Sequence, residues 1–249
     1  MPHFEPSMAI TTRDKLTDVA DSPVQVHHDP WNLPYWLVNV PQSQWTTECP
    51  SFLQNQSSKN IRCLSTPDTH YQRQNWELVQ AIIRTNRIDR FQRVPSDLRK
   101  YLEYTAQIKA QYGSVMRFVV KERLEWGDGH ADDLKPKGGL FEFNEDIRIL
   151  YNDWPYGVDS DIIHLVVWTK FQFPDDSVGN LTDEAREAID QYVRRIFHSV
   201  AAEQVVWFRN WKSLKSVHAV EHFHVMLHRP DLAFVREITR GDVPLIKRV

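Results

Sequence analysis

The sequence has few cysteines, no excess of positive charge and no long apolar run, and each of these shortages excludes a class of protein. Its 249 residues include two cysteines, Cys49 and Cys63, too few for the disulfide framework of a small secreted domain. The formal net charge is −3, with lysines and arginines spread along the chain, so the basic stripe of a nucleic-acid-binding protein is missing. No window is long enough to span a membrane, and no basic segment precedes an apolar run near the first residue. We therefore predict a cytoplasmic protein with neither a nucleic acid nor a membrane as partner.

The composition predicts one globular domain with a distinct N-terminal part. A hydrophobic share of 41% over this length is enough to bury a sizeable core. Residues 1–28 are polar and aperiodic, which predicts a mobile tail, and we expect residues 29–249 to form a single domain. This domain opens with Asp29–Phe52, where four prolines prevent long regular structure. We predict an ordered arm that wraps the domain, with a partner-docking peptide as the alternative, because the segment carries the large aromatic residues Trp31, Tyr35, Trp36 and Trp45.

Helical periodicity recurs along the chain. Apolar residues follow helical spacing after Asn75, after Pro95 and after Thr182, and each of these positions is a good helix start. A short helix is also expected near Leu232–Thr239. Between the arm and the first helix, Gln54–Thr69 reads as a polar loop. These helices account for the α part of the predicted fold.

Five segments have the character of strands. Asp146–Tyr151 and Ile162–Phe171 predict an antiparallel hairpin, joined by a turn that contains proline and glycine. Further strands are expected at Val205–Arg209 and at Val220–Leu227, and Val115–Trp126 is also predicted to be extended. The sequence therefore predicts an α+β fold in which helices back an antiparallel sheet.

The Val220–Leu227 strand contains a pair of histidines that the strand period places on one face. Alternation puts His222, His224 and Met226 together, while Glu221 points to the opposite face. Two imidazoles on one face of a strand favour a functional site, with two ordinary half-buried histidines as the alternative.

Polar residues elsewhere in the sequence are candidates to complete a pocket for phosphate or another anion. Asn210, Ser213 and Ser216 lie just upstream of the histidine strand. His164 and Lys170 interrupt the apolar strand of the hairpin and could line the same pocket as ring donor and cation. The alternative for Lys170 is a side chain that snorkels to water from the strand end.

The order of these elements resembles the histidine triad superfamily of nucleotide hydrolases and transferases. NDWPYG followed by IIHLVVWTK is similar to the hairpin on the nucleotide side of that family, and NWKSLKSV followed by HFHV to its catalytic strand, over residues 146–228. The resemblance implies a histidine-triad-like core, a nucleophilic His224 that His222 orients, and a possible homodimer. It further implies that Ser213 or Ser216 holds phosphate oxygens, that Asn210 fixes the loop, and that the sugar or base side is formed by Asn152, Asp153 and His164. Met226 stands where the family has its third histidine.

Almost the whole chain also resembles a fungal family described as N-acetylglucosamine-induced. The motifs that carry this resemblance are DPWNLPYW, RVPSDLRKYLEY, ILYNDWPYG, HLVVWTK, NWKSLKSV and EHFHV. The family name records a pattern of expression and implies no substrate.

Three functions are compatible with these residues. The first is an enzyme, without a cofactor, that hydrolyses or transfers a phosphoryl or nucleotidyl group on a small molecule. The second uses His222 and His224 as ligands of a divalent metal completed by His164, His218 or Glu221, or as cofactor-free acid–base groups acting on a metabolite. The third is a non-catalytic protein that binds a metabolite or serves as a scaffold.

Overall fold

The computed structural model describes residues 33–177, 179–211 and 220–248. The described residues belong to one compact unit that begins at Leu33. The predicted tail, Trp31, Ser213, Ser216 and His218 lie outside the described residues.

Four strands form one sheet: β1 (Ile147–Tyr151), β2 (Ile162–Thr169), β3 (Val205–Phe208) and β4 (Glu221–His228). The strand order is β1-β2-β4-β3, and every neighbouring pair is antiparallel. The predicted hairpin and the two later strands are therefore confirmed, as is the α+β fold with an antiparallel sheet. β4 occupies a central position, and β3 lies at the edge of the sheet.

The described residues contain six α-helices, and several of their ends carry the predicted signals. Thr182 accepts a hydrogen bond from the backbone N–H of Ala185, and Asn75 accepts one from Leu78, so both act as N-caps. A left-handed glycine with φ +78°, Gly113, follows the longest helix. The helices are α1 (Ser58–Leu64), α2 (Trp76–Arg84), α3 (Pro95–Tyr112), α4 (Val115–Phe118), α5 (Asp183–Ile196) and α6 (Leu232–Ile238).

Two predictions of local structure are wrong. Gln54–Thr69 contains α1, which Ser57 caps by accepting the N–H of Asn60 at 3.2 Å. Val115–Trp126 is helical, with α4 continuing into the π-helical turn Val119–Arg123. Its β-branched residues suggested a strand, but Ser114 caps the segment, and helical spacing buries Phe118, Val119, Val120 and Leu124 together. Packing therefore overrides the local β preference.

The N-terminal arm is ordered from Leu33 onward, and its aromatic residues differ in environment. Tyr35 donates a hydrogen bond from its hydroxyl to the carbonyl of Leu53 at 2.9 Å, and both Tyr35 and Trp36 pack against a buried cluster that includes Leu98 of α3. Trp45 is 41% exposed. The arm thus packs on the helical side of the unit through its first two aromatic side chains.

β4 is buried on both of its faces. Phe223, Val225 and Leu227 belong to a core cluster with the apolar side of α5, while Met226 on the other face packs against Trp76 and Val79 of α2. A strand held from both sides fixes the direction of every side chain that it carries. None of the helices in the described part of the chain combines the length and the apolar character that a membrane span needs.

Candidate functional site

His222 and His224 line a small polar cavity on the face of the sheet that carries Met226. The cavity has a volume of about 120 Å³. Opposite residues of antiparallel strands share a face, so Val166 of β2 and Phe208 of β3 flank His224. The polar lining comes from separate parts of the chain: Arg93, Tyr101, Asn152, Tyr156, Asn210, His222 and His224.

Both ring nitrogens of His224 contact polar side chains. Nδ1 lies 3.0 Å from Nε2 of His164, and Nε2 lies 3.0 Å from the amide nitrogen of Asn210, the second residue after β3. The ring also stacks on Phe208, with 4.9 Å between centroids and 11° between planes. His224 is therefore held in one orientation by its neighbours.

Asn152 sets the direction of this chain of hydrogen bonds. Its side-chain oxygen accepts the backbone N–H of Trp154 at 3.0 Å, so its amide nitrogen faces His164 and lies 3.2 Å from Nε2. The same amide nitrogen lies 3.5 Å from Nδ1 of His164, and we take the shorter contact to make Nε2 the acceptor. With that tautomer, Nδ1 of His224 carries the proton that it donates to His164. The lone pair of His224 is then on Nε2, where it accepts a hydrogen bond from Asn210.

His164 is an uncharged ring inside this network. It is 4% exposed, and burial lowers its pKa to about 3, an effect to which the Arg93 guanidinium adds. A neutral imidazole is what the hydrogen-bond chain requires, because a second proton on the ring would remove its only acceptor.

His222 has a different arrangement. Its Nδ1 lies 2.9 Å from the carbonyl oxygen of Val220, and its ring packs against Trp168 with 4.5 Å between centroids. A carbonyl can only accept, so Nδ1 carries a proton, and whenever the ring is uncharged its lone pair is on Nε2. A histidine with that tautomer can attack an electrophile or take up a proton.

Arg93 supplies positive charge to the cavity, and the sequence reasoning missed it. Its Nε donates to the carbonyl of Trp154 at 2.9 Å, and its guanidinium lies 4.0 Å from the centroid of the Tyr101 ring. The arginine precedes α3 and is far in sequence from β4. The available signal was its place at the start of RVPSDLRKYLEY, a motif that also carries a family resemblance.

A larger cavity of about 340 Å³ adjoins the first one. The two share Arg93, Tyr101 and Tyr156 in their linings. The larger cavity also contains Lys59, whose ammonium donates to the carbonyls of Asp89 and Phe91 and whose pKa is lowered by burial. Its size falls within the range of small-molecule sites, which begins at about 300 Å³.

Two of the predicted site residues lie outside this group. Asp153 bonds to Arg123, which also forms a bidentate pair with Asp242, at 2.9 and 3.0 Å. Burial raises the pKa of Asp153, while Arg123 opposes the rise. Lys170 follows the end of β2, with its ammonium 5.3 Å from the ring centroid of Trp126, and it does not line the histidine cavity. The structure thus brings together His222, His224, His164, Asn152 and Asn210 and leaves Asp153 and Lys170 apart from them.

The alternative metal site depends on the same histidines. Within residues 33–177, 179–211 and 220–248, no group of three His, Cys, Asp or Glu side chains is arranged to hold a metal ion. Glu221 points to the opposite face from His222, and Nε of Arg209 lies 3.6 Å from one of its carboxylate oxygens.

Comparisons with known proteins give a family and a fold. Residues 75–228 match a family described as protein of unknown function, DUF3605. N-acetylglucosamine-induced protein 1 of Candida albicans is 28% identical over 184 residues, 67% of this chain and 72% of that protein. Uncharacterized protein YPL067C of Saccharomyces cerevisiae is 26% identical over 172 residues, 68% of this chain and 85% of that protein. The resemblance to the fungal N-acetylglucosamine-induced proteins is confirmed.

A solved structure also shares the fold. The crystal structure of HTC1 has a TM-score of 0.52 and 22% identity, and the match covers 69% of this chain and 98% of that one. The family match spans all four strands and every described residue of the polar cavity lining.

Proposed function

The chain belongs to the DUF3605 family of proteins of unknown function, and we propose that it is an enzyme acting on a phosphorylated or nucleotide-like small molecule. One observation carries the proposal: His222 and the Arg93 guanidinium line one cavity together with Asn152 and Asn210, and Nδ1 of His222 is directed at the carbonyl oxygen of Val220. A cation in a cavity favours an anion, and a histidine at the same cavity can supply a nucleophile. From the sequence alone, we also propose that the protein is cytoplasmic and that it forms a homodimer.

In the proposed reaction, Nε2 of His222 attacks the phosphorus of the substrate. A bond forms between that nitrogen and phosphorus, and the bond from phosphorus to the leaving oxygen breaks, with the electron pair going to the leaving group. Arg93 stabilises the negative charge that grows on the phosphoryl oxygens in the transition state. Water or another acceptor then attacks the phosphorus and releases the histidine, giving hydrolysis or transfer.

This proposal exchanges the roles that the histidine triad resemblance implies for the two histidines. Nδ1 and Nε2 of His224 both contact polar side chains, and its ring stacks on Phe208, so we assign it to positioning. The backbone carbonyl of Val220 fixes the tautomer of His222, whose Nε2 then has the lone pair required of a nucleophile. The 340 Å³ cavity beyond Arg93 offers room for the organic part of the substrate.

The test uses the 4-nitrophenyl ester of AMP as a chromogenic substrate. Wild-type protein should release 4-nitrophenolate and acquire the mass of one nucleotidyl group, detected by intact mass spectrometry after a neutral quench because the nitrogen–phosphorus bond is acid-labile. His222→Asn should lower kcat/KM by roughly a thousandfold or more and abolish the adduct. His224→Asn should lower the rate but leave a detectable adduct. The bond to phosphorus is formed by Nε2 of His222, and His224 has only a positioning role.

His198→Asn is the matched control. His198 also directs its Nδ1 at a backbone carbonyl, that of Arg195 at 3.1 Å, but it is exposed and lines no part of the cavity. Equal losses in the His198 and His222 variants, or an adduct that survives in His222→Asn, would contradict the proposal. Thermal stabilisation of the wild type by AMP without any turnover would instead favour the non-catalytic metabolite-binding alternative.

A further inference from the structure

A separate polar cavity of about 310 Å³ lies at the edge of the sheet. It sits beside β3, between the end of α2 and the segment that leads into α5. Among the described residues its lining contains no carboxylate and three arginines: Arg84, Arg186 and Arg209. Such a lining has the charge of an anion-binding site.

Arg209 provides the strongest sign of a missing acceptor. Its side chain is 8% exposed, and Nη2 lies 2.7 Å from a carboxylate oxygen of Asp175. Its other terminal nitrogen, Nη1, is buried and has no hydrogen-bond partner in the described part of the chain. Buried donors in proteins are nearly always satisfied, because water is no longer available to them. Arg209 therefore keeps one donor that neither Asp175 nor Glu221, whose carboxylate lies 3.6 Å from Nε, takes up.

The other side of the cavity offers aromatic surface next to positive charge. Trp211 is 38% exposed, and its indole N–H donates to the side-chain oxygen of Asn86 at 3.2 Å, which fixes the ring. The guanidinium of Arg186 lies 5.8 Å from the centroid of the Trp207 ring. A fixed and partly exposed indole is a surface on which a planar ring can stack.

We propose that this cavity binds a small organic anion that carries a planar ring. The acidic group is held by the three arginines, and the ring lies against Trp211. Asn210 lines both this cavity and the one at His222, and it donates a hydrogen bond to His224. A ligand at the sheet edge would therefore lie beside a residue that also holds the positioning residue His224.

The probe is AMP, titrated by calorimetry into the folded 249-residue chain. The proposed function also places a nucleotide at the His222 cavity, so the double substitution Arg84→Gln and Arg186→Gln is compared in an Arg93→Gln background. There it should weaken the remaining binding at least about a hundredfold, or about tenfold for each charge-assisted contact removed. Both arginines are exposed, so the variant should fold as the wild type does. Adenosine, which has no charge, and ribose 5-phosphate, which has no aromatic ring, should each bind at least about tenfold more weakly than AMP.

Arg194→Gln is the control, because Arg194 is an exposed arginine on α5 that does not line the cavity. It should bind AMP as the wild type does. The proposal is overturned if the wild type does not bind AMP, if the double variant binds it equally well, or if Arg194→Gln loses as much affinity. Loss of binding in Arg93→Gln with full binding in the double variant would assign AMP to the cavity at His222 and also overturn it.

Discussion

Acidification should destabilise the folded protein through His164. The ring is 4% exposed, and its surroundings contain Arg93, the neutral groups Asn152 and Tyr156, and the partner ring of His224. Burial is the main reason that its pKa falls to about 3, against about 6.5 in an unfolded chain. Between these two values the unfolded state binds a proton that the folded state does not.

The sign and size of the effect follow from this difference. The folded state has its full stability above about pH 6.5, and the stability falls as the pH drops towards 3, with a slope of about 1.4 kcal/mol per pH unit. At pH 4.5 the contribution of His164 should amount to a loss of about 3 kcal/mol in the free energy of unfolding.

Urea unfolding of wild type and His164→Gln between pH 7 and 4.5 measures this contribution. Glutamine retains an acceptor for Asn152 and His224 but does not titrate, so the advantage of the wild type over the variant should shrink as the pH falls. The same substitution at the exposed His198 is the control for losing an imidazole. A difference between wild type and His164→Gln that stays constant over this range would refute the assignment of His164 as a buried neutral ring.

Two further predictions concern the scaffold. Asp242→Asn should lower the free energy of unfolding by about 3 kcal/mol in urea titrations, because Arg123, with its side chain 5% exposed, loses a bidentate partner. Asp161→Asn, which removes a partly exposed partner of the exposed Arg229, should cost far less, and equal losses would contradict the role of burial. Thr182→Ala should cost about 1 kcal/mol through loss of the N-cap of α5, and Thr182→Ser should restore most of it; no difference between the two variants would contradict the cap.

Local signals were sufficient to predict the elements that they determine. A cap at Thr182 and helical spacing after it define α5, and alternation around two histidines defines β4. The strand prediction for Val115–Trp126 is wrong for a non-local reason. Its β-branched residues favour a strand, but the space that it fills beside α3 accepts a helix whose apolar side is buried. Tertiary packing, which cannot be read from a short stretch of sequence, determined the secondary structure of that segment.

The candidate site likewise contains residues that local sequence signals predicted and residues that they did not. Strand alternation was enough to place His222 and His224 on one face, whereas Arg93 reaches them from the start of a distant helix. Asn152 and Asp153 are adjacent in sequence but point to different surroundings, because Asp153 is drawn to Arg123. The sequence contains no local sign of that ion pair, since its partner lies 30 residues away.

The missing third histidine of the triad pattern has a structural explanation. Met226, which occupies that position, is fully buried in an apolar cluster with Trp76 of α2, where a histidine would lack polar partners. Directly opposite Met226 on β2 stands His164, and its Nε2 reaches Nδ1 of His224 at 3.0 Å. Antiparallel pairing therefore supplies a third imidazole from the neighbouring strand to the same face of the sheet. Because that ring is neutral and acts as an acceptor, it orients His224. His222 is then the residue that we propose as the nucleophile.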